Sequence, residues 1–324
     1  MPWKDDLYDE SARLDRARIV WYETVNKYKG ATGGCLPTSL IFHKTTTLAV
    51  FRLREKGIRF PFPYSWYLYG TEAEGTRQNI LFKPDVTGRR TLVEWISDVP
   101  DLLPGDAESD AIRAEINTIF AERPRVESLV DEVYEKAPFE FQRKYRLLRI
   151  CLGTTGRGSR FQRDCEAVNP WALLLDALDT FPADRFHRLV RLIPAFKEAV
   201  KMAWNASPPD RDRTKELVEE FWRLFCCHLR LDRDGHEMIS ASQIKAWQEI
   251  AEGRLAKWER IFGDILVEMA TQNSAVGANQ TLGPIVERRR REQLEERETI
   301  DNALAVISEN RASLDTIPAS APPR

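Results

Sequence analysis

The sequence has few cysteines, no long apolar run and no export signal. Five cysteines occur among 324 residues, none spaced as Cys-x-x-Cys, and their odd number argues against a complete disulfide framework. No stretch approaches the roughly 18 apolar residues of a membrane-spanning helix, and the N-terminus lacks the basic and then apolar order of a signal peptide. We therefore expect a reduced, cytoplasmic protein with no membrane partner.

The chain also carries almost no net charge. It has 48 basic and 50 acidic residues, which gives a formal net charge of -2. A balanced total predicts no overall attraction to nucleic acid or to a membrane surface. Binding of either kind would have to come from a local patch.

The usual signatures of catalytic and metal sites are missing as well. The four histidines are scattered, and no pair has the His-x-x-x-His spacing that places two ligands on one helix face. No Gly-x-Ser-x-Gly element marks a serine nucleophile. We expect no metal, no cofactor and no catalytic residue, which favours a non-enzymatic protein. The alternative is an enzyme whose residues converge only in the folded chain.

Apolar residues at three- and four-residue spacing are the dominant pattern that is present. The clearest stripe runs from Leu217 to His228, and a second follows Ser240. A helix over residues 183–204 contains Pro194, which should kink or divide it. We predict a mainly α protein, a multi-helix array with a small strand element near residues 58–96.

Proline, glycine and polar stretches divide the chain. Breaks fall at Pro104-Gly105, at Ser207-Pro208-Pro209 and before Pro284. The predicted parts are an N-terminal helical domain with an aromatic segment (1–104), a central helical domain (105–206), a helical hairpin (207–283), a charged helix (284–316) and a disordered tail (317–324).

An aromatic segment, residues 56–70 with the sequence KGIRFPFPYSWYLYG, is the most distinctive stretch. Gly57 should end the helix before it, and the two prolines forbid helix within it. Thr71 and Glu74 have the spacing of a capping box, which predicts a new helix after Gly70. The aromatic side chains form a candidate partner surface, with core packing as the alternative; they are Tyr64, Trp66, Tyr67 and Tyr69.

The same region resembles a known family. Lys44 lies near the start of a helix reading HKTTTLAVFRLREKG, and the aromatic segment ends in Tyr67-Leu68-Tyr69-Gly70. This combination resembles the Panacea antitoxin-like domain over roughly residues 36–82, with Thr71 where that family usually has proline. The resemblance implies a protein that neutralises a toxin or acts in a prokaryotic defence or stress module.

A basic segment later in the chain is the candidate binding site for nucleic acid or for an acidic partner. From Phe141 to Arg163 there is no acidic residue. Positive potential concentrated in this way attracts phosphate or acidic protein surfaces. The alternative is that the arginines solvate the helix or pair with acids elsewhere, such as Asp131, Glu132 and Glu135. The basic residues are Arg143, Lys144, Arg146, Arg149, Arg157, Arg160 and Arg163.

Together these patterns favour a cytoplasmic protein-interaction module, which the resemblance would make antitoxin-like or defence-associated. A nucleic-acid-binding regulator that uses residues 143–163 is the first alternative, and an enzyme with a site invisible in sequence is the second. A protein partner is expected, and nucleic acid is the other candidate.

Overall fold

The computed structural model describes residues 10–100, 106–122, 125–155, 169–206 and 209–274. The chain divides into two compact units between Leu255 and Ala256, and the sites described below all belong to the first unit. The predicted division was finer, with boundaries after residues 104, 206, 283 and 316. The helices on either side of residue 206 pack together, α8 against α9, within one unit.

The predicted fold class is confirmed, because helices dominate the described residues and the strands are short. The helices are α1 (Glu10–Ala31), α2 (Ser39–Glu55), α3 (Ala107–Ala121), α4 (Val126–Glu135), α5 (Glu140–Cys151), α6 (Pro170–Asp179), α7 (His187–Val190), α8 (Ile193–Asn205), α9 (Arg211–Leu229) and α10 (Ala241–Ser274). A short 3₁₀ turn covers Thr76–Gln78.

Helix α2 lies at the centre of the first half of this unit. The Thr38 side chain caps its N-terminus by accepting a hydrogen bond from the Ile41 amide, and Gly57 follows its end with φ of 84°. The helix packs against α1, α3, α4 and a strand, so most of its residues from Phe42 to Val50 are buried. The predicted stop at Gly57 is confirmed.

Two small antiparallel sheets accompany the helices. One has the order β2-β1-β5, formed by β1 (Tyr64–Tyr67), β2 (Gly70–Ala73) and β5 (His236–Glu237). The other is a two-stranded hairpin of β3 (Ile80–Pro84) and β4 (Thr91–Trp95). The helix predicted to begin at Thr71 is wrong, because Thr71 pairs with Trp66 across the first hairpin. The cross-strand ladder outweighs the local capping signal.

The helices after residue 140 share an aromatic core. Phe141 contacts Phe181 and Phe225, with ring centroids 5.0 and 4.7 Å apart, and Phe196 stacks on Phe221 at 4.3 Å. The apolar stripe of α9 therefore faces inward. Pro194 lies in the first turn of α8, after a break that separates α7 from α8, which confirms the predicted division.

Two further expectations meet the structure here. Cys35, Cys226 and Cys227 are free thiols. Cys151 is disulfide-bonded, so the expectation that all cysteines are reduced is wrong for Cys151. No helix within the described ranges is long and apolar enough to cross a membrane. The charged helix and tail predicted after residue 284 lie outside the described residues.

Candidate functional site

The turn between β1 and β2 is held by one backbone oxygen. The carbonyl of Leu68 accepts hydrogen bonds from Trp222 Nε1 at 2.8 Å, from an Arg149 guanidinium nitrogen at 3.3 Å and from the Tyr134 hydroxyl at 3.4 Å. These donors come from α9, α5 and α4. The turn therefore lies where three helices from the later part of the unit meet.

Helix α2 fixes the other side of this hairpin through a buried cation. The Lys44 ammonium is 1% exposed and donates to the carbonyl oxygen of Thr71 in β2. Burial lowers the pKa of Lys44 to about 7, an effect that the carboxylate of Glu72 opposes. Three residues further along α2, the hydroxyls of Thr47 and the same Thr71 share a hydrogen bond. Lys44 is thus a positioning residue for the strand, sealed from solvent.

Gly70 is required by the close approach of strand and helix. Its φ is 96°, a conformation that other residues rarely adopt. A Cβ atom at this position would lie 3.3 Å from side-chain atoms of both Tyr134 and Val133. The glycine therefore serves both the turn and the packing of β2 against α4.

His43 connects the two hairpins. Its Nδ1 accepts a hydrogen bond from the Ala73 amide in β2, and its ring stacks on Phe82 of β3 at 5.7 Å. Burial, with further contributions from the charges of Lys44 and Arg230, lowers the pKa of His43 to about 3. The imidazole is neutral near pH 7 and acts as a hydrogen-bond acceptor.

The aromatic residues predicted as a partner surface separate into different environments. Trp66 is 1% exposed and lies between Phe51 and Tyr134, so it belongs to the core. Tyr64 and Tyr67 are half-buried, and only Tyr69 is open, at 54%.

The arginine that covers Tyr67 was not singled out from the sequence. The guanidinium of Arg230 lies 3.9 Å from the Tyr67 ring centroid and 4.6 Å from that of Trp247, and it pairs with Glu72 and Glu74. Because Arg230 is held over the ring by these contacts, little of the Tyr67 ring surface is accessible to another protein.

The residues that carry the family resemblance, Lys44 and the stretch from Tyr67 to Gly70, do converge in space. Their common role in the structure is to join α2 to the first hairpin. No family model, no curated protein and no solved structure matches this sequence. An antitoxin-like activity remains a prediction from those residues alone.

The helical half of the predicted basic segment is occupied by intramolecular contacts. Arg146, 4% exposed, pairs with the buried Asp131, and Arg149, 2% exposed, pairs with Glu219 through two hydrogen bonds of 2.7 and 2.8 Å. Lys144 pairs with Glu140 and Asp176.

These pairings restrict what the segment can bind. Arg143, the one exposed residue of the helical four, donates to the carbonyl of Ala137. Phosphate contact through Arg146 or Arg149 would leave a carboxylate without its cation. The other predicted residues, Arg157, Arg160 and Arg163, lie outside the described residues.

Exposed apolar side chains that the sequence did not reveal are concentrated on the β3–β4 hairpin and on the segment just after it. Among the described residues, seven large apolar or tyrosine side chains stand exposed, and five of them fall between residues 81 and 99. We call these five the hairpin surface: Leu81, Phe82, Val86, Ile96 and Val99, at 44, 37, 105, 54 and 57% exposure.

This hairpin is firmly held. Its turn is closed by a hydrogen bond from the Asp85 amide to the Arg90 carbonyl, and the Asp85 carboxylate accepts from the amides of Thr87 and Arg89. On its inner side the Trp95 ring packs edge-on against Tyr22 of α1 at 5.5 Å. The apolar side chains are thus displayed by an ordered element.

The sequence located two short elements here, as strands or helices, and gave no indication of their exposure. Residues 79–83 and 91–96 are equally compatible with short strands and short helices. The available signal was the glycine-containing turn, Asp85-Val-Thr-Gly88, between two short apolar runs, which is typical of a hairpin. Nothing in the local pattern indicates which face of that hairpin is left uncovered.

Proposed function

We propose that this chain is a non-enzymatic protein-interaction module whose contact site is the hairpin surface. The supporting observation is the concentration of exposed large apolar side chains within residues 81–99, on the β3–β4 hairpin and the segment that follows it. Exposed apolar side chains scattered singly are ordinary, whereas their clustering marks contact sites for other proteins. Val86, at the tip, has no contact that would explain an apolar residue there for folding alone.

The charges around the hairpin suggest the chemistry of the partner. Arg89 and Arg90 stand exposed in the turn next to Val86, while Lys83 is paired with Glu94 within the sheet. A partner that offers an apolar depression with acidic groups at its rim would complement this arrangement. Arginine beside an aromatic or aliphatic anchor is a common composition of energetically important contact sites.

The biological role that we attach to this module rests on the family resemblance. A cytoplasmic protein that binds and neutralises a toxin, or that acts in a prokaryotic defence module, is the proposal. Lys44 and Gly70 support it only by their convergence, because both serve the architecture of the hairpin.

Site-specific photo-crosslinking in the host cell tests the interaction proposal. A benzoylphenylalanine placed at Val86 should crosslink to another protein, which mass spectrometry then identifies. The matched control is the same photo-reactive residue at Ile250, an apolar side chain of α10 with 53% exposure outside the hairpin. Equal crosslinking from both positions, or none from position 86, would reject the hairpin as the contact site.

A nucleic-acid-binding role remains the second proposal, and it now depends on Arg157, Arg160 and Arg163. Titration with DNA and RNA at two salt concentrations should show affinity that falls steeply with salt if several phosphates are neutralised. Replacing all three arginines with glutamine should abolish that binding, whereas the same change at Arg89 and Arg90 is the control for non-specific charge. Binding that survives the triple replacement would eliminate this proposal.

A further inference from the structure

A cleft of about 1140 Å³ lies between the C-terminal ends of α1 and α3. Its walls come from the last residues of these two helices, and Ile41 of α2 and Leu129 of α4 complete the lining. The cleft shares no residue with the hairpin surface. It is therefore a separate place at which this unit can receive a ligand.

The chain leaves α1 through a tight turn, so the end of that helix stays uncovered. Thr32 donates to the Tyr28 carbonyl through both its amide and its hydroxyl, and the Gly34 amide donates to the Lys29 carbonyl. Gly33 and Gly34 have φ of 66° and 100°, the left-handed conformation typical of a helix end. These carbonyls are already bonded, and the cation of Lys29 in the last turn offsets the negative end of the helix dipole.

The lining of the cleft is basic. It contains Lys27 and Lys29 and no acidic residue. Within the part of the chain that the structure describes, neither ammonium has an ion pair or a hydrogen bond. The hydrogen bond from Lys83, with a smaller contribution from Lys29, lowers the pKa of Glu94 in β4, but that carboxylate is already paired with Lys83. The charges of Lys27 and Lys29 therefore remain available to an external anion.

Neutral groups beside the lysines add hydrogen-bonding and apolar contacts. Asn26 and Asn117, one from each wall, are exposed, and their side chains have no partner among the described residues. The rings of Tyr28 and Phe120, again one from each wall, are half-buried and meet edge to face, with centroids 5.9 Å apart. An amide side chain can bond the backbone of a peptide, and aromatic rings provide contact area for an apolar side chain.

The exposure of the lining favours a segment of protein over a small molecule. Seven of the twelve lining residues are exposed, whereas a pocket for a small ligand buries most of the ligand's surface. Nucleic acid requires a longer row of cations and ring faces free for base stacking, and the two rings here pack against each other. Two lysines in a wide, partly apolar cleft fit the separate carboxylates of a peptide.

We propose that this cleft is a docking site for an acidic peptide segment of another protein. Glutamate or aspartate side chains of that segment pair with Lys27 and Lys29, and its backbone bonds the amides of Asn26 and Asn117. An aliphatic or aromatic side chain of the segment packs on the two rings. The inference goes beyond the proposed function, because it assigns a ligand to a surface outside the hairpin.

Fluorescence anisotropy with the full chain tests this site. The probe is a fluorescein-labelled peptide that alternates glutamate with phenylalanine, used at low ionic strength, and its control has lysine in place of glutamate. We expect the acidic probe to bind and the basic one not to bind. Lys27→Glu combined with Lys29→Glu should raise the dissociation constant of the acidic probe about tenfold or more, because two attractive contacts become repulsive.

Lys197→Glu combined with Lys245→Glu is the matched charge control. These lysines lie on α8 and α10, outside the cleft, and the double variant changes the net charge of the chain by the same amount. It should bind the acidic probe as the wild type does. A wild type that does not bind the acidic probe, or an equal loss of affinity in the two double variants, overturns the proposal.

A neutral obstruction separates docking in the cleft from attraction to its charge. Asn117→Trp introduces a large ring into the cleft from an exposed position on α3, so it should weaken binding of the acidic probe while the charge and the fold are kept. Thr118→Trp, exposed on the same helix but outside the lining, is its control. Equal affinity in these two variants would show that the probe does not occupy the cleft, which rejects the proposal.

Two further outcomes would assign the binding differently. If a single-stranded oligonucleotide binds more tightly than the acidic probe and displaces it, the cleft is a nucleic-acid site and the inference of a peptide fails. If Val86→Ser abolishes binding of the probe while the Lys27 and Lys29 double variant retains it, the probe binds the hairpin surface. In that case this inference fails and the proposed function stands.

Discussion

The two hairpins of this protein show that aromatic content and exposure are independent. The β1–β2 hairpin contains the densest aromatic stretch of the chain, yet its turn is covered by donors from three helices and by Lys44. The β3–β4 hairpin has a plainer sequence, and it presents Leu81 and Val86 to solvent. Whether an apolar residue forms a binding surface is decided by what the rest of the chain places over it.

The sharpest test of this contrast removes one aromatic residue from the covered hairpin. Trp66→Ala should destabilise the protein by about 3–5 kcal/mol, since the side chain is 1% exposed and packs between two other rings. Chemical denaturation followed by circular dichroism measures the change. A loss below about 1 kcal/mol would mean that the hairpin is less covered than described. Tyr69→Ala, at the exposed end, serves as the control.

A somewhat smaller effect is expected from a donor to the turn. Arg149→Met removes one hydrogen bond to Leu68 and leaves Glu219 without its cation, which should cost about 3 kcal/mol. Adding Glu219→Leu should recover much of the loss, because the unpaired carboxylate is then gone. Non-recovery would assign the effect to the hydrogen bond with Leu68. Urea titration of the single and double variants makes the comparison.

The buried Lys44 predicts a pH dependence with a definite sign. Its pKa is about 7 in the folded protein, below the value of 10.5 for a free side chain, so between these values the unfolded chain binds more protons. Stability should therefore rise with pH from 7 to 8.5, by at most about 1.4 kcal/mol per pH unit from this group.

Lys44→Met is the matched variant, since it keeps the length of the side chain without the titrating group. The difference in slope between the two proteins isolates the contribution of Lys44, and equal slopes would show that the lysine stays charged when buried. The range ends at 8.5 because the thiols of Cys226 and Cys227, whose pKa burial raises, add an opposing contribution near pH 9. Thermal unfolding at fixed ionic strength is the measurement.

Substitution of Val86 should have the smallest effect on the free energy of unfolding and the largest effect on binding of the partner. Val86→Ser should change stability by less than about 0.5 kcal/mol, because the residue is fully exposed at the tip of the hairpin. The same substitution should weaken capture of the partner identified by crosslinking at position 86. A variant that loses stability but keeps its partner would reverse the roles that we assign to the two hairpins.

Local signals in the sequence identified several helix ends, failed at Thr71, and were insufficient for the surfaces. Gly57 ends α2 and Pro194 begins α8 because both act through their own backbone geometry, which is readable within a few residues. The environment of Trp66 depends on Tyr134, which lies on a helix far along the chain. The aromatic segment alone left core packing and a partner surface as alternatives for Trp66, and the contact with Tyr134 decides for the core.

The basic segment illustrates the same limit in its charges. Arg146 and Arg149 lie in a stretch without acids, and their partners Asp131 and Glu219 come from α4 and α9. Asp131 is among the acids that the sequence suggests as partners, whereas Glu219 is not. Glu219 is separated from Arg149 by 70 residues. The net charge of a segment therefore does not show whether its cations are neutralised by acids elsewhere in the folded chain.

The Leu68 carbonyl has a consequence for how this protein can vary. The three donors that meet there recognise a backbone atom, which every amino acid possesses, so the identity of residue 68 is free to drift. The three donor positions do not tolerate substitution in the same way, because Tyr134, Arg149 and Trp222 each donate through the side chain. Among distant homologues, position 68 should be among the most permissive in the hairpin, and the three donors should be replaced only by residues that can still donate.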